Sequence, residues 1–272
     1  MRSMLVGMVG EERALRAIWR MKDAPQSVAY RLSPTARRSA DEIRRMHNAF
    51  RGRRCFIIGN GPSLNHMDLS PLREEITFGL NRANLLFERI GAPTTFLVAV
   101  NRYVIEQFGE EIAAQKAIRL MPWHRRISSG TSTGVLYFNT RTRAEFSFDP
   151  TREGVWEGDT VTFVAMQLAH FFGFSPVILI GVDHRFSTTG EPHTLVTASE
   201  NDPNHFDPSY FGPGVRWQLP DLANSERSYR AARSAFHAHG RQILDATVGG
   251  ALTVFPKVEY GAVLGDVATE TT

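Results

Sequence analysis

Four consecutive apolar residues, Cys55-Phe56-Ile57-Ile58, run directly into Gly59-Asn60-Gly61-Pro62-Ser63. A strand without polar alternation has both faces covered, as in a parallel sheet sandwiched between helices. The glycines that follow permit a tight turn and let main-chain N–H groups approach a ligand closely. In open α/β sheets ligands sit just beyond the carboxyl ends of strands, so this turn is the first place to expect a site. The third glycine of the dinucleotide fingerprint is missing, and no Gly-Lys-Ser/Thr follows as in a Walker loop. Taken alone, the turn reads equally well as an ordinary reversal of the chain.

The remaining pattern supports a sheet. Strands are predicted at residues 76–80, 95–100, 117–121, 135–138, 176–180 and 241–245, and helices at 103–115, 160–172 and 225–239. Such alternation predicts an α/β fold, a Rossmann-like, mostly parallel sheet with helices on both faces, over residues 54–260. Residues 183–224 are polar and proline-rich, too long for a plain connection, and are expected to form a lid. Two helices are predicted ahead of the sheet, at 10–24 and 34–50, with Ser33 as cap and Pro34 in the first turn of the second. Residues 1–53 are thus expected to be a basic helical appendage, and 261–272 a flexible tail.

The chain has 272 residues, 42% hydrophobic and 22% charged, enough for one sizeable core and unlike a disordered composition. Net charge is only +3, but arginines crowd the N-terminal fifth, Arg13, Arg16, Arg31, Arg37 and Arg38 among them. Such a segment suits a solvated helical face or an anionic partner. Cys55 is the single cysteine, which precludes an intrachain disulfide and suits a reducing compartment. No apolar run reaches the roughly 18 residues of a spanning helix. No secretory leader is expected either. The expected location is cytoplasmic, at the inner face of the membrane if the N-terminal basic helices touch lipid. No RNA-binding module is evident, so nucleic acid is not an expected partner.

Chemistry is expected at several strand ends. Asn81 and Asn101 follow the second and third strands, and with Asn60 they would bring three uncharged amides to one sheet edge. An amide both donates and accepts, which suits a sugar hydroxyl, a ribose or a base edge. Each asparagine also reads as the cap of a following helix. Asp183 and Arg185 follow the clearest strand, where the first can anchor a hydroxyl or order the loop and the second can offer a fork to phosphate. His205, inside the lid, is a general-base candidate. His184, His193, His205, Asp183 and Asp207 offer metal ligands without a compact spacing, so base catalysis ranks above metal binding. The stretch Asp245 to Gly250 reads as a simple turn at the same edge.

The order of these motifs is specific where each one is not. Ile57 to Leu64, then Asn81, Asn101, Gly173-Phe174 before Leu179-Ile180-Gly181-Val182-Asp183, and Asn201-Asp202 before His205 resembles the bacterial sialyltransferases of glycosyltransferase family 42. It is also similar to the wider set that contains motility accessory factors and the archaeal 6-hydroxymethylpterin diphosphokinase. The resemblance spans residues 54–255 and implies a GT-A-like Rossmann sheet. It further implies that Gly59, Asn60, Gly61, Pro62, Ser63, Asn81 and Asn101 hold a CMP-activated nonulosonic acid, and that His205 deprotonates an acceptor hydroxyl. Arg185 stands where the family has phosphate-contacting tyrosines. Thr160-Val161-Thr162 stands where the family has Thr-Ser-Gly at the start of the central helix, which puts Thr160 at the nucleotide.

The expected function is therefore inverting transfer of a sialic-acid-like sugar from a CMP donor to a glycan acceptor, without cofactor or metal. The alternatives are a pterin-type pyrophosphoryl transferase using ATP and Mg²⁺, and a non-catalytic protein of a surface-glycan pathway. The lack of an acid in Gly79-Leu80-Asn81-Arg82 counts against the pyrophosphoryl transferase.

Overall fold

A computed structural model describes residues 18, 19, 21–128, 134–142 and 145–265. Seven strands form one sheet: β1 (Cys55–Ile58), β2 (Thr77–Leu80), β3 (Phe96–Val98), β4 (Ile118–Pro122), β5 (Val135–Phe138), β8 (Val177–Ile180) and β11 (Ile243–Asp245). Their order across the sheet is β11-β8-β1-β2-β3-β4-β5, and every pairing is parallel. Two small pairs lie outside it, β6 (Thr140–Arg141) with β7 (Val155–Trp156), and β9 (Leu195–Thr197) with β10 (Arg216–Gln218). The α/β, Rossmann-like sheet is as the apolar runs predict. All four residues of β1, β2 and β8 are buried, which is why those runs carry no polar alternation.

The chain lays down β1 to β5 in one direction, then returns to place β8 on the other side of β1. Ile58 pairs with both Gly79 and Ile180, so β1, β2 and β8 end level. Strand order thus reverses between β1 and β8, and in folds of this kind ligands bind beyond the carboxyl ends of the strands at that point.

Both faces are covered. On one lie α3 (Val161–Phe172) and α4 (Leu222–Ala238). Every residue from Thr162 to Phe172 is buried, and Gly173, at φ 98°, ends this central helix in the left-handed conformation that glycine adopts without strain. Its Phe172 ring meets Phe96 at 5.3 Å, and Phe96 stacks on Phe78 at 4.5 Å. The other face packs against α2 (Arg102–Ala113) and lid aromatics including Tyr210 and Trp217.

The N-terminal helices are part of this body. In α1 (Pro34–Arg45), the Ser33 hydroxyl accepts from Ala36 N as predicted, and Ala36, Ala40 and Ile43 are buried against the sheet. The earlier helix was expected to stop before Pro25, but residues 21–32 are helical, so the proline does not end it. Residues 10–17 and 20 of that expectation lie outside the described residues. The lid is more regular than its composition suggests, since it contains β9 and β10 and runs into α4 at Leu222. A helix that starts at Tyr260 runs through residues 261–265 of the expected tail, and Tyr260 Oη donates to Asp68 O at 3.0 Å; 266–272 lie outside the described residues. Among the described residues no helix is long and apolar enough to cross a membrane.

Candidate functional site

The glycine turn is laced to the end of β8. Gly59 N donates to Ile180 O at 2.8 Å and Gly61 N to Gly181 O at 2.9 Å. A Cβ on Gly59 would lie 2.2 Å from Gly181 O, and one on Gly61 would lie 1.8 Å from Asp183 Oδ2. Close chain-to-chain approach thus accounts for both glycines. Ser63 donates to Asp183 from its hydroxyl at 2.6 Å and from its N–H at 3.2 Å. Ser63 and Pro62, expected at the ligand, do not line the cleft; the serine is spent on ordering the loop through Asp183.

Beyond this edge lies a cleft of about 700 Å³, in the range of small-molecule sites. It brings together Asn60, Asn81, Asn101, Thr160, Asp183 and His205, with the backbones of Gly59 and Gly61, and Arg185 at its rim. The three asparagines are not equivalent. Asn101 caps α2, its Oδ1 accepting from Tyr103 N at 2.9 Å and Val104 N at 3.2 Å. Asn60 and Asn81 each keep a buried Oδ1 with no hydrogen-bond partner. Buried polar atoms are ordinarily paired, so two orphaned acceptors in one cleft mark places for a donor from a ligand. Thr160 precedes α3 without capping it; its hydroxyl pairs with Tyr229 Oη at 3.1 Å. The N-terminus of α3 thus opens into the cleft with its first N–H groups available to an anion.

His205 is held on three sides. Its Nδ1 lies 2.6 Å from Asp202 Oδ2, and its ring stacks on Tyr210 at 4.1 Å and meets the edge of Phe211 at 4.9 Å. Phe206 N donates to Asn60 O at 2.9 Å and Asn65 Nδ2 to Phe206 O at 2.8 Å, which fastens this part of the lid to the glycine turn. Arg82 fixes the next part: its guanidinium donates to Ser209 O at 2.9 Å and Tyr210 O at 2.5 Å and lies 3.8 Å over the Phe108 ring. Burial raises the Tyr210 phenol well above its usual range, so it stays a neutral hydroxyl beside the imidazole. Arg185 is exposed and donates to Gly249 O, so part of its fork is already used.

Several cleft residues carry no signal in the sequence. Arg125, after β4, keeps an unpartnered Nε, and Glu157, before α3, has its carboxyl raised by burial against the opposing pull of Arg125. Asp23 and Gln26, from the N-terminal helix, also line the wall. Asp159, His193 and Asp221 bring three ligand atoms within 4.8 Å of one another, a set able to hold a divalent cation. His193 Nε2 is 4.0 Å from Asp159 Oδ1 and 3.8 Å from Asp221 Oδ2. The other metal candidates named from sequence scatter: His184 faces Glu226, His205 faces Asp202, Asp183 holds Ser63, and Asp207 accepts from Ser209. The cluster was illegible because Asp159 precedes α3, His193 lies in the lid and Asp221 caps α4.

No family model matches the chain, and no curated protein matches it. Among solved structures, a MAf glycosyltransferase from Magnetospirillum magneticum AMB-1 is similar, with a TM-score of 0.47 and 16% identity over 80% of this chain. The chain spans 38% of that protein's length.

Proposed function

We propose that the chain is a glycosyltransferase that moves a sialic-acid-like nonulosonic sugar from a CMP-activated donor to a hydroxyl of a glycan. The observation that carries the reading is the meeting of Asn60, Asn81 and His205, remote in sequence, in one cleft at the strand-order reversal. The order of motifs that resembles family 42 sialyltransferases supports the donor class. The two unpartnered amide oxygens suit hydroxyl and amino donors of a nucleoside or sugar. The open N-terminus of α3, Arg125 and the unused donors of Arg185 suit a phosphate and a carboxylate.

In the proposed step the Asp202 carboxylate accepts a hydrogen bond from Nδ1–H of His205, the proton stays on the ring, and Nε2 is left as the basic nitrogen. Nε2 takes the proton of the acceptor hydroxyl while its oxygen bonds to the anomeric carbon. The bond from that carbon to the phosphate oxygen breaks with its electron pair, CMP leaves as an anion and the configuration inverts. Donors fixed at the phosphate stabilise the charge as it develops. The chemistry requires neither redox partner nor metal.

The test is release of CMP from a CMP-nonulosonate donor, with calorimetry for CMP, CDP and ATP binding. Affinity for cytidine nucleotides and CMP release that rises with glycan acceptor are expected; absence of cytidine affinity overturns the reading. One observation favours the second reading, pyrophosphoryl transfer from ATP: in the cleft wall Asp159 and Asp221 bring together two carboxylates, the oxygen ligands that Mg²⁺ takes beside substrate phosphates. Nucleotide binding to ATP alone, and only with Mg²⁺, selects it.

A further inference from the structure

The helical segment that ends at Leu32 is mounted the wrong way round for a surface helix. Such helices bury their apolar stripe and expose their polar face. Here the polar side chains meet the body: Asp23 accepts from Thr142 N and Oγ1, Gln26 donates to Asn139 and Thr140, and Tyr30 Oη donates to Tyr137 O at 3.1 Å. The opposite face carries Ile18, Met21, Val28 and Leu32, exposed at 49, 68, 54 and 70%. With the exposed Pro25 their spacing is 3-4-3-4, a single stripe along the helix. Four large apolar side chains held in line in water are not needed to fold the chain, because the core is complete without them. Such a patch marks a surface that something covers.

Charge decides what covers it. Lys22 and Arg31, both exposed, fall on the two sides of the stripe at the helical repeat of 100° per residue, and Arg37 and Arg38 are exposed at the start of α1. Asp23, the one acid within 18–38, is turned to the protein. A second copy seated on this face would bring two sets of cations together, so self-association is opposed. An apolar stripe flanked by cations is complementary to an anionic lipid surface, where the apolar side chains enter the acyl boundary and the cations meet headgroup phosphates.

We infer that this face docks the protein on anionic membrane surfaces. The inference is independent of the reaction proposed above. Asp23 and Gln26, on the other side of the same helix, line the cleft, so docking sets the cleft wall about one helix diameter, roughly 10 Å, from the lipid.

The test is sedimentation of the full chain with vesicles of phosphatidylcholine alone or containing phosphatidylglycerol. Binding to the phosphatidylglycerol vesicles only, weakened by salt, is expected. The double variant Met21→Ser/Leu32→Ser should lose about tenfold or more in partition, with an unchanged melting temperature because both side chains are exposed. Lys22→Glu/Arg31→Glu should also release the protein while leaving the stripe intact. No sedimentation with either vesicle overturns the inference. So does undiminished binding by the Met21→Ser/Leu32→Ser variant, and so does a concentration-dependent dimer in light scattering that this variant abolishes.

Discussion

Oδ2 of Asp202 lies 2.6 Å from Nδ1 of His205, and the carboxylate's other oxygen accepts from Asn204 N at 2.8 Å. The carboxylate is therefore fixed from its own loop before it fixes the ring, and the imidazole presents one defined tautomer. Asp202→Asn should lower turnover by about 10²–10⁴-fold, the range of general-base assistance, because an amide no longer enforces the Nδ1–H form. His205→Ala should fall by a similar factor. Nucleotide affinity, measured by calorimetry, should be nearly unchanged in both, and full turnover in His205→Ala would falsify the base assignment.

The asparagines should separate into two classes. Asn60→Ala and Asn81→Ala remove unpartnered acceptors, so each should weaken nucleotide binding by about 0.5–1.5 kcal/mol, up to about tenfold. Asn101→Ala removes a helix cap and should instead lower folding stability by about 0.5–2 kcal/mol. Urea denaturation paired with calorimetry distinguishes these outcomes; a pure affinity loss in Asn101→Ala would contradict its assignment as a cap.

Gly61→Ala should damage the loop rather than the ligand contacts alone. Its Cβ would fall 1.8 Å from Asp183 Oδ2, which receives the Ser63 hydroxyl. Overpacking of this sort costs about 1–3 kcal/mol. A melting temperature equal to the parent's would show that the loop yields without cost.

The two functional readings differ in their response to chelation. Sugar transfer by His205 should persist in EDTA. Asp159→Asn/Asp221→Asn should likewise leave CMP release measurable. Loss of activity in EDTA with recovery on adding Mg²⁺ would transfer support to the pyrophosphoryl reading and to the Asp159, His193 and Asp221 set.

Acid should weaken the fold through two neutral imidazoles. Burial, reinforced by Arg241 and His239, lowers His170 from 6.5 to about 3, and burial with Arg125 lowers His124 from 6.5 to about 4. Between those values and 6.5 the unfolded chain binds more protons than the folded one, so stability is full above pH 6.5 and declines as pH falls toward 3. His170→Phe, set among Phe146 and Phe236, should show a shallower decline in urea midpoint across this range. An unchanged slope would remove His170 as a source.

The sheet was legible because an uninterrupted apolar run such as Cys55 to Ile58 has only one good environment, a strand covered on both faces. The site was legible in part. Asn60, Asn81 and His205 could be proposed from their positions after strands and in the lid, but Asn101 looked the same as Asn81. What separates them is the next turn of chain: Asn101 holds extended backbone and caps a helix, while Asn81 sits at φ 51° with its oxygen free. The contribution of Asp23 was hidden because helical periodicity assigns the polar face to water, and the fold does the reverse; that of Gln26 was hidden because the predicted helix stops before Pro25.

Gly59 faces a main-chain oxygen of residue 181, and every amino acid carries that atom. A genetic screen for suppressors of a Gly59→Ala lesion would accordingly find no smaller partner to substitute. Relief could come only by prising two neighbouring strands apart, which would pull the loops they carry out of alignment. A single hydrogen at this position is thus a requirement that evolution can keep or abandon but cannot trade.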